Sequence, residues 1–259
     1  MEYMLQGMDV GDNPMDSLEE MGAMGSTMAS DTMTTTTAAA AASPIECTTL
    51  NILYEDDYIV VVNKPSNILS TPGRTVEYSI YSQIQQRYPN ATGPLLVHRL
   101  DMSTSGVLLI AKEKEVHKGL SRQFIERSVK KRYVALLDGE IDKAKTEKGK
   151  INLPLAPDYI NRPMQMVSYE KNGKPAETIY EVVKVDKVNG RTRVNFYPLT
   201  GRTHQLRVHA AHHQGLDCPI VGDDIYGTRA ERLCLHAGYL EVTHPVTGKR
   251  MKFTAPTPF

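Results

Sequence analysis

Short runs of β-branched and apolar residues recur from residue 50 to the end of the chain, with a few stretches of helical periodicity between them. Such runs are typical of strands, and they occupy residues 51–54, 59–63, 107–111, 132–137, 178–185, 193–197, 239–242 and 251–254. Apolar residues at helical spacing predict helices over 80–88, 116–124 and 205–213. Because strands and helices do not alternate regularly, the sequence predicts an α+β fold with a mainly antiparallel mixed sheet flanked by helices and loops.

The N-terminal stretch has a different composition. Residues 1–44 contain eight methionines, a Thr run and an Ala run, and residues 1–47 contain eight acidic residues and no Lys or Arg. Such low-complexity sequence has no core-forming period, which is typical of disorder. We therefore expect a disordered, acidic Met/Thr/Ala-rich tail over 1–47 and one folded domain over 48–259.

The charge of the predicted domain is basic, although the whole chain has equal numbers of acidic and basic residues. Once the tail is removed, 30 basic and 22 acidic residues remain, a net charge of +8. This surplus favours a polyanionic partner such as nucleic acid. Many basic domains bind no nucleic acid, so charge alone leaves the question open.

Several classes of protein are excluded by simpler features. No apolar run is long enough to span a bilayer, and no basic start leads into an apolar signal sequence. Cys47, Cys218 and Cys234 form an odd set without CxxC spacing, which indicates neither a disulfide framework nor a zinc knuckle. We expect reduced cysteines and a cytoplasmic protein.

The most informative motif is the segment HRLDMSTSG at residues 98–106, which leads into the predicted strand at 107–111. Asp101 lies in a loop between ordered elements, where a rigid scaffold can hold a catalytic carboxylate. Thr104 and Ser105 can brace the loop, and Gly106 permits a tight turn. The alternative is that Asp101 is a turn or helix-cap residue, as aspartates in loops usually are.

A second cluster of polar residues lies at 199–209, with the sequence LTGRTHQLRVH. Its Arg, His and Gln side chains provide many donors at a predicted helix start, which suits an anion. The alternative is an ordinary solvated helix start. His209, His212 and His213 share a helical region, but no Glu follows His209 as in HExxH, so we predict no metal site.

Two further segments are KKRY at 130–133 and LCLHA at 233–237. Basic residues beside an aromatic ring suit phosphate contact together with base stacking. The alternative for 130–133 is an edge strand whose lysines discourage aggregation.

Taken together, these segments resemble the RluA family of pseudouridine synthases. Residues 98–106 resemble its signature loop, 131–135 its tyrosine motif, 201–209 with 219–223 its arginine motif, and 233–237 its last motif. The resemblance runs from about residue 50 to the C-terminus and implies the pseudouridine-synthase fold. Residues 53–57, 62–66, 161–165 and 173–176 further resemble the small members that act on both 23S ribosomal RNA and tRNA anticodon stem-loops.

The resemblance implies a catalytic set of Asp101, Tyr133 and Arg207. Asp101 is expected to attack C1′ of the target uridine or to remove its C2′ proton, with Arg207 paired to it and Tyr133 stacked on the flipped uracil. Arg99 is expected to fill the gap left in the RNA stack, and Leu235 to pack on the uracil. The other expected RNA contacts are His98, Lys64, Arg74, Lys130, Lys131, Arg162 and Arg202.

The sequence thus predicts a monomeric enzyme that isomerises uridines in structured RNA, in ribosomal RNA or tRNA stem-loops, without cofactor or metal and without a membrane partner. One alternative is the same chemistry on a single different RNA. Another is an RNA-binding protein without catalysis, against which the intact set Asp101, Tyr133 and Arg207 argues. A zinc-dependent deaminase is disfavoured because the HxE…PCxxC signature is missing.

Overall fold

The computed structural model describes residues 50–141 and 147–259. The predicted tail over 1–47, including Cys47, lies outside these residues and stays a prediction. The helices are α1 (Ile80–Arg87), α2 (Lys114–Ile125) and α3 (Gln205–Ala211). The strands are β1 (Ile52–Glu55), β2 (Ile59–Lys64), β3 (Ser105–Ala111), β4 (Lys130–Leu137), β5 (Lys148–Asn152), β6 (Leu155–Pro157), β7 (Gln165–Val167), β8 (Glu177–Asp186), β9 (Arg191–Pro198), β10 (Leu235–Thr243) and β11 (Arg250–Thr254).

A nine-stranded sheet organises the fold. Its strand order is β1-β2-β3-β10-β4-β9-β8-β5, with β11 added beside β10, while β6 and β7 form a separate two-stranded sheet. Among the described residues every strand pair is antiparallel except β3 with β10. The predicted α+β class with a mainly antiparallel mixed sheet is confirmed.

Three strands were not predicted from the sequence. β5 has the polar sequence KGKIN, and β6 and β7 are three residues each. Segments so short or so polar show no apolar alternation, and their pairing partners stabilise them instead. α3 also ends at Ala211, two residues before the predicted end, because His212 has extended backbone angles.

The strands β2 and β3 are buried on both faces, which explains why their sequences are continuously apolar. Alternate residues point to opposite faces of a strand. On one face Val60 and Leu108 pack with residues of α1, and on the other Val61 and Leu109 pack with residues of α2. The two helices thus hold the start of β3, and the loop before it, in a fixed position.

Gly106 allows β3 and β10 to approach closely beside the segment that carries the signature motif. Its φ is +118°, and a Cβ built there would lie 2.3 Å from the backbone oxygen of Ala237. An L side chain can satisfy neither condition. The glycine therefore brings the 98–105 segment next to Leu235 and Tyr133, since Ala237 pairs with both Gly106 and Tyr133.

Candidate active site

A cavity of about 100 Å³ opens where the loop before β3 meets β4, β10 and the start of α3. It brings together the three residues that the sequence predicts to be catalytic, Asp101, Tyr133 and Arg207. Its other lining residues are Arg99, Leu100, Thr104, Lys131, Pro198, Thr200, Gly201, Arg202, Gln205, Leu206 and Leu235. Charged groups and an apolar floor therefore meet in one small depression.

The loop that carries Asp101 is anchored on both sides of that residue. The Ser70 hydroxyl donates to the Leu100 carbonyl at 2.6 Å and accepts from the Leu100 amide at 3.1 Å. The Ser66 hydroxyl donates to the Ser103 carbonyl at 2.7 Å. Packing and bonding of the neighbours thus fix the direction of the Asp101 side chain.

The Asp101 carboxylate itself is half-buried and unpaired. It forms no hydrogen bond or ion pair with any residue in the described part of the chain, although its backbone carbonyl accepts from the Thr104 amide at 3.1 Å. A turn or cap residue would direct its carboxylate to nearby backbone amides. The geometry therefore favours the catalytic interpretation of Asp101 over the structural one.

Lys64 does not make the predicted RNA contact. Its side chain is completely buried, and its ammonium donates to the carbonyls of Pro65 at 2.9 Å, Ile68 at 2.7 Å and Met102 at 2.9 Å. Burial lowers the pKa of Lys64 to about 7, and the nearby Asp101 carboxylate opposes that shift. The prediction for Lys64 is wrong, because all three donors bind backbone carbonyls of the protein, one of them the Met102 carbonyl next to Asp101.

We expect Lys64→Met to destabilise the protein by about 2 kcal/mol, because three backbone carbonyls lose the donor that a buried ammonium supplies. The salt dependence of RNA binding should stay unchanged, since no phosphate contact is lost. Urea unfolding and the slope of log Kd against log salt measure the two effects. Arg202→Met, at an exposed cation of the cavity, is the matched control and should lower the slope by about 0.7. A reduced slope for Lys64→Met would restore the phosphate contact.

Tyr133 lies on β4, with its ring in the wall of the cavity. Burial raises the pKa of the phenol above its usual value, and the negative charge of Asp101 raises it further. The phenol is therefore neutral at pH 7. Leu235, at the start of β10, is 3% exposed and supplies an apolar surface in the same cavity.

Arg207 lines the cavity but does not pair directly with Asp101, contrary to the sequence prediction. Its Nε donates to Asp223 Oδ2 at 2.8 Å, and its Nη2 donates to Asp223 Oδ1 at 2.6 Å and to Asp224 Oδ1 at 3.1 Å. Arg207 and Asp223 are both buried. The positive charge of Arg207 thus lies beside Asp101, held there by a bidentate pair with a different carboxylate.

Asp223 is the residue that the sequence interpretation missed, although it lies in the matched segment 219–223. Burial alone would raise its pKa, but the bonds from Arg207 and from the Tyr226 and Ile225 amides hold it below its usual value. The Tyr226 ring packs against the Arg207 guanidinium at 5.4 Å. The GDDIYG segment at 222–227 therefore cradles Arg207 from below. In the sequence, an Asp at this position indicates only a turn in which its carboxylate accepts from the following backbone amides. Its second role, as the partner of Arg207, is visible only in the structure.

The donors at the start of α3 are mostly used within the protein. The Gln205 amide bonds Thr200, the Arg202 amide, Thr178 and a backbone carbonyl, and His204 Nδ1 lies 2.8 Å from the Tyr226 hydroxyl. Among the described Arg, His and Gln side chains of this cluster, Arg202 alone is both exposed and cavity-lining. Of the donors predicted to bind an anion at this helix start, only the Arg202 guanidinium is therefore accessible from the cavity.

His98 braces the loop. Its Nε2 accepts from the Leu109 amide at 3.0 Å, and its ring stacks on Phe124 at 4.9 Å. Burial, together with the charge of Lys131, lowers the pKa of His98 to about 3. The cationic form that an ionic contact with RNA requires is therefore disfavoured.

The remaining predicted RNA contacts fall into two groups. Arg99, Lys131 and Arg202 line the cavity. Lys130 pairs with Glu241 at 3.6 Å, Arg162 packs on the Tyr159 ring at 5.2 Å, and Arg74 is exposed in the loop between β2 and α1; none of these three lines the cavity.

The predicted absence of a metal site concerned His209 in α3 and His212 and His213 directly after it. His209 Nδ1 lies 3.0 Å from the Thr178 hydroxyl and its Nε2 3.4 Å from the Leu153 carbonyl, while the His212 and His213 rings contact each other at 4.3 Å. Within residues 50–141 and 147–259, no three His, Cys, Asp or Glu side chains are placed to hold a metal ion. In the same residues no helix has the length and apolar character needed to cross a membrane.

Comparison with known proteins identifies the family. The family model described as RNA pseudouridylate synthase matches residues 58–212. The chain is 47% identical over 216 residues to the dual-specificity RNA pseudouridine synthase RluA of Haemophilus ducreyi, covering 80% of this chain and 94% of that protein. It is 49% identical over 217 residues to the protein of the same name from Escherichia coli, covering 81% and 94%.

Solved structures agree. Human RNA pseudouridylate synthase domain containing 1 superposes with a TM-score of 0.67 at 31% identity, covering 82% of this chain and 84% of that one. Human RNA pseudouridylate synthase domain containing 4 gives a TM-score of 0.63 at 24% identity, covering 80% and 88%, and supports the fold alone. This chain therefore belongs to the RNA pseudouridylate synthases and, among them, to the RluA family.

Proposed function

We propose that this chain is a dual-specificity pseudouridine synthase that isomerises uridines in ribosomal RNA and in tRNA stem-loops, with Asp101 as the catalytic carboxylate. The observation that carries the proposal is the unpaired Asp101 carboxylate in a cavity shared with Tyr133, Arg207 and Leu235. The dual specificity is supported by the relatives of that name at 47% and 49% identity. We further propose that the protein acts in the cytoplasm as a monomer and needs no cofactor.

The proposed reaction breaks the N1–C1′ bond of uridine, rotates the uracil and joins C5 to C1′. The C5 proton leaves to solvent and N1 gains one, so the isomerisation needs no oxidant or external group. Asp101 acts at the sugar, either by bonding to C1′ or by removing the C2′ proton. The Arg207 guanidinium lies close enough to interact electrostatically with Asp101, and its positive charge can stabilise negative charge that develops during the reaction.

The remaining cavity residues act on the base and on the RNA. The target uridine leaves the stack, which costs a few kcal/mol. The uracil lies between the Tyr133 ring and Leu235, and the phenol passes the C5 proton to solvent by giving up its own proton to water as it accepts the new one. The exposed Arg99 guanidinium replaces the missing base in the stack, where its planar face offsets part of the unstacking cost.

Tritium release from RNA labelled with [5-³H]uridine tests the function, because the C5 hydrogen is lost only when C5 bonds to C1′. We expect release from both a ribosomal RNA fragment and a tRNA stem-loop, and nucleotide mapping should locate pseudouridine in each. An RNA-binding protein without catalysis would bind both RNAs and release no tritium from either. Release from one of the two would reduce the proposal to a single RNA class.

A further inference from the structure

A second depression, here called the flanking groove, adjoins the catalytic cavity. It has a volume of about 450 Å³, within the range of roughly 300–1,000 Å³ that is usual for ligand sites. Its lining residues are Val97, His98, Arg99, Phe124, Ile125, Arg127, Lys131, Tyr133, Leu199, Thr200, Gly201 and Arg202. Half of these also line the cavity, so the groove and the cavity share a wall.

The groove combines an exposed apolar floor with a positively charged rim. Ile125 is 66% exposed and Leu199 is 37% exposed, so both present apolar surface to the groove. The cations at the rim are Arg99, Arg127, Lys131 and Arg202, and the described residues that line the groove include no carboxylate. An apolar surface beside unopposed cations suits a nucleotide, whose base covers the floor while its phosphate meets the rim.

Arg127 gives independent support. It follows the end of α2 with a φ of +58°, in the left-handed region that favours glycine. Its guanidinium forms no hydrogen bond or ion pair with the described residues, so the strained position gains no internal contact from the arginine. Burial and the charge of Arg127 also lower the pKa of Lys131 to about 8, which means that two cations lie close together without an anion between them.

We propose that the flanking groove binds the nucleotide next to the target uridine, with its phosphate at Arg127 and Lys131 and its base over Ile125 and Leu199. This rests on the proposed function, because RNA must fill the neighbouring cavity. A strand that places one nucleotide in the cavity must place an adjoining one close by, and the shared wall leads to the groove. The groove would thereby sense the sequence beside the target.

The first test is Arg127→Gly, compared in the Asp101→Asn background so that the RNA is not consumed. Because glycine adopts the left-handed conformation without strain, the substitution should raise the Tm by about 2 °C. Loss of the phosphate contact should raise the Kd for a stem-loop about three- to fivefold and lower the salt slope by about 0.7. Arg122→Ala removes the same charge from α2 outside the groove, and is expected to change neither binding quantity. A Tm that falls with binding would make Arg127 a structural residue and overturn the proposal.

The second test uses modified RNA. Methylphosphonate is placed at either phosphate that flanks the target, and an abasic nucleotide at either neighbour. At one of the two positions the Arg127→Gly effect should vanish on methylphosphonate RNA, and the effect of Ile125→Gln, about threefold in Kd, should vanish on abasic RNA. Equal effects of both variants on every RNA would assign the groove to general charge or to a protein partner and overturn the proposal. Tritium release by the unaltered chain reports the proposed function separately.

Discussion

Asp101→Asn should abolish pseudouridine formation while the protein stays folded and still binds RNA. Asparagine has nearly the same shape, but it neither bonds to C1′ as a carboxylate does nor accepts a proton from C2′. We expect turnover to fall at least about 10⁴-fold, the upper end for a single proton-transfer group. The Kd should stay near its original value, because affinity depends mainly on phosphate neutralisation. Single-turnover tritium release and filter binding measure the two quantities.

The geometry makes this variant unusually clean. Since the Asp101 carboxylate has no partner among the described residues, its replacement breaks no internal bond, and the Tm should not fall. Asp57→Asn, at an exposed aspartate far along the sequence from the loop, is the control for the charge change and should leave turnover unchanged. Pseudouridine formation by Asp101→Asn at even one-tenth of the normal rate would remove Asp101 from the mechanism.

Much of the fold was predictable because its signals are local. The strands β2 and β3 are continuously apolar, and the spacing of Ile80 and Ile84, or of Val116 and Leu120, reports which helix face is buried. The residues that form the site were predictable for another reason. Catalytic side chains lie in short motifs, so the family resemblance identifies residues 101, 133, 207 and 235 as one site even though they are far apart in sequence.

The partnerships within the site were not predictable, because they depend on tertiary contacts. A lysine in a loop motif suggests a surface cation, and only the packing of β2 beneath the loop turns Lys64 inward to three carbonyls. The family resemblance implied a pair between Arg207 and Asp101, whereas the structure pairs Arg207 with Asp223. The turn at 222–226 places the Asp223 carboxylate within hydrogen-bond distance of Nε and Nη2 of Arg207. A sequence pattern does not predict this tertiary contact.

Replacing Arg207 should have a second large effect, and its pair with Asp223 allows the loss of stability to be separated from the loss of catalysis. Arg207→Met should destabilise the protein by about 3–5 kcal/mol, because it leaves the Asp223 carboxylate buried without its cation. At about 2–4 °C per kcal/mol for a domain of this size, the Tm should fall by roughly 10 °C. Asp223→Asn should cost less, since Arg207 keeps Asp224 as a partner and the new amide oxygen still accepts from the Ile225 and Tyr226 amides. Thermal unfolding of each variant measures these costs.

The double variant Arg207→Met/Asp223→Asn decides what the arginine does. Removing both charges eliminates the buried unpaired carboxylate, so most of the stability lost in Arg207→Met should return as a favourable coupling between the two sites. Turnover should not return with it. If the positive charge beside Asp101 stabilises charge that develops during the reaction, its loss costs about 100-fold or more in single-turnover rate, whatever the stability of the variant. A double variant that regains both its Tm and its turnover would reduce Arg207 to a structural brace, and the assignment of Arg207 to catalysis would then be wrong.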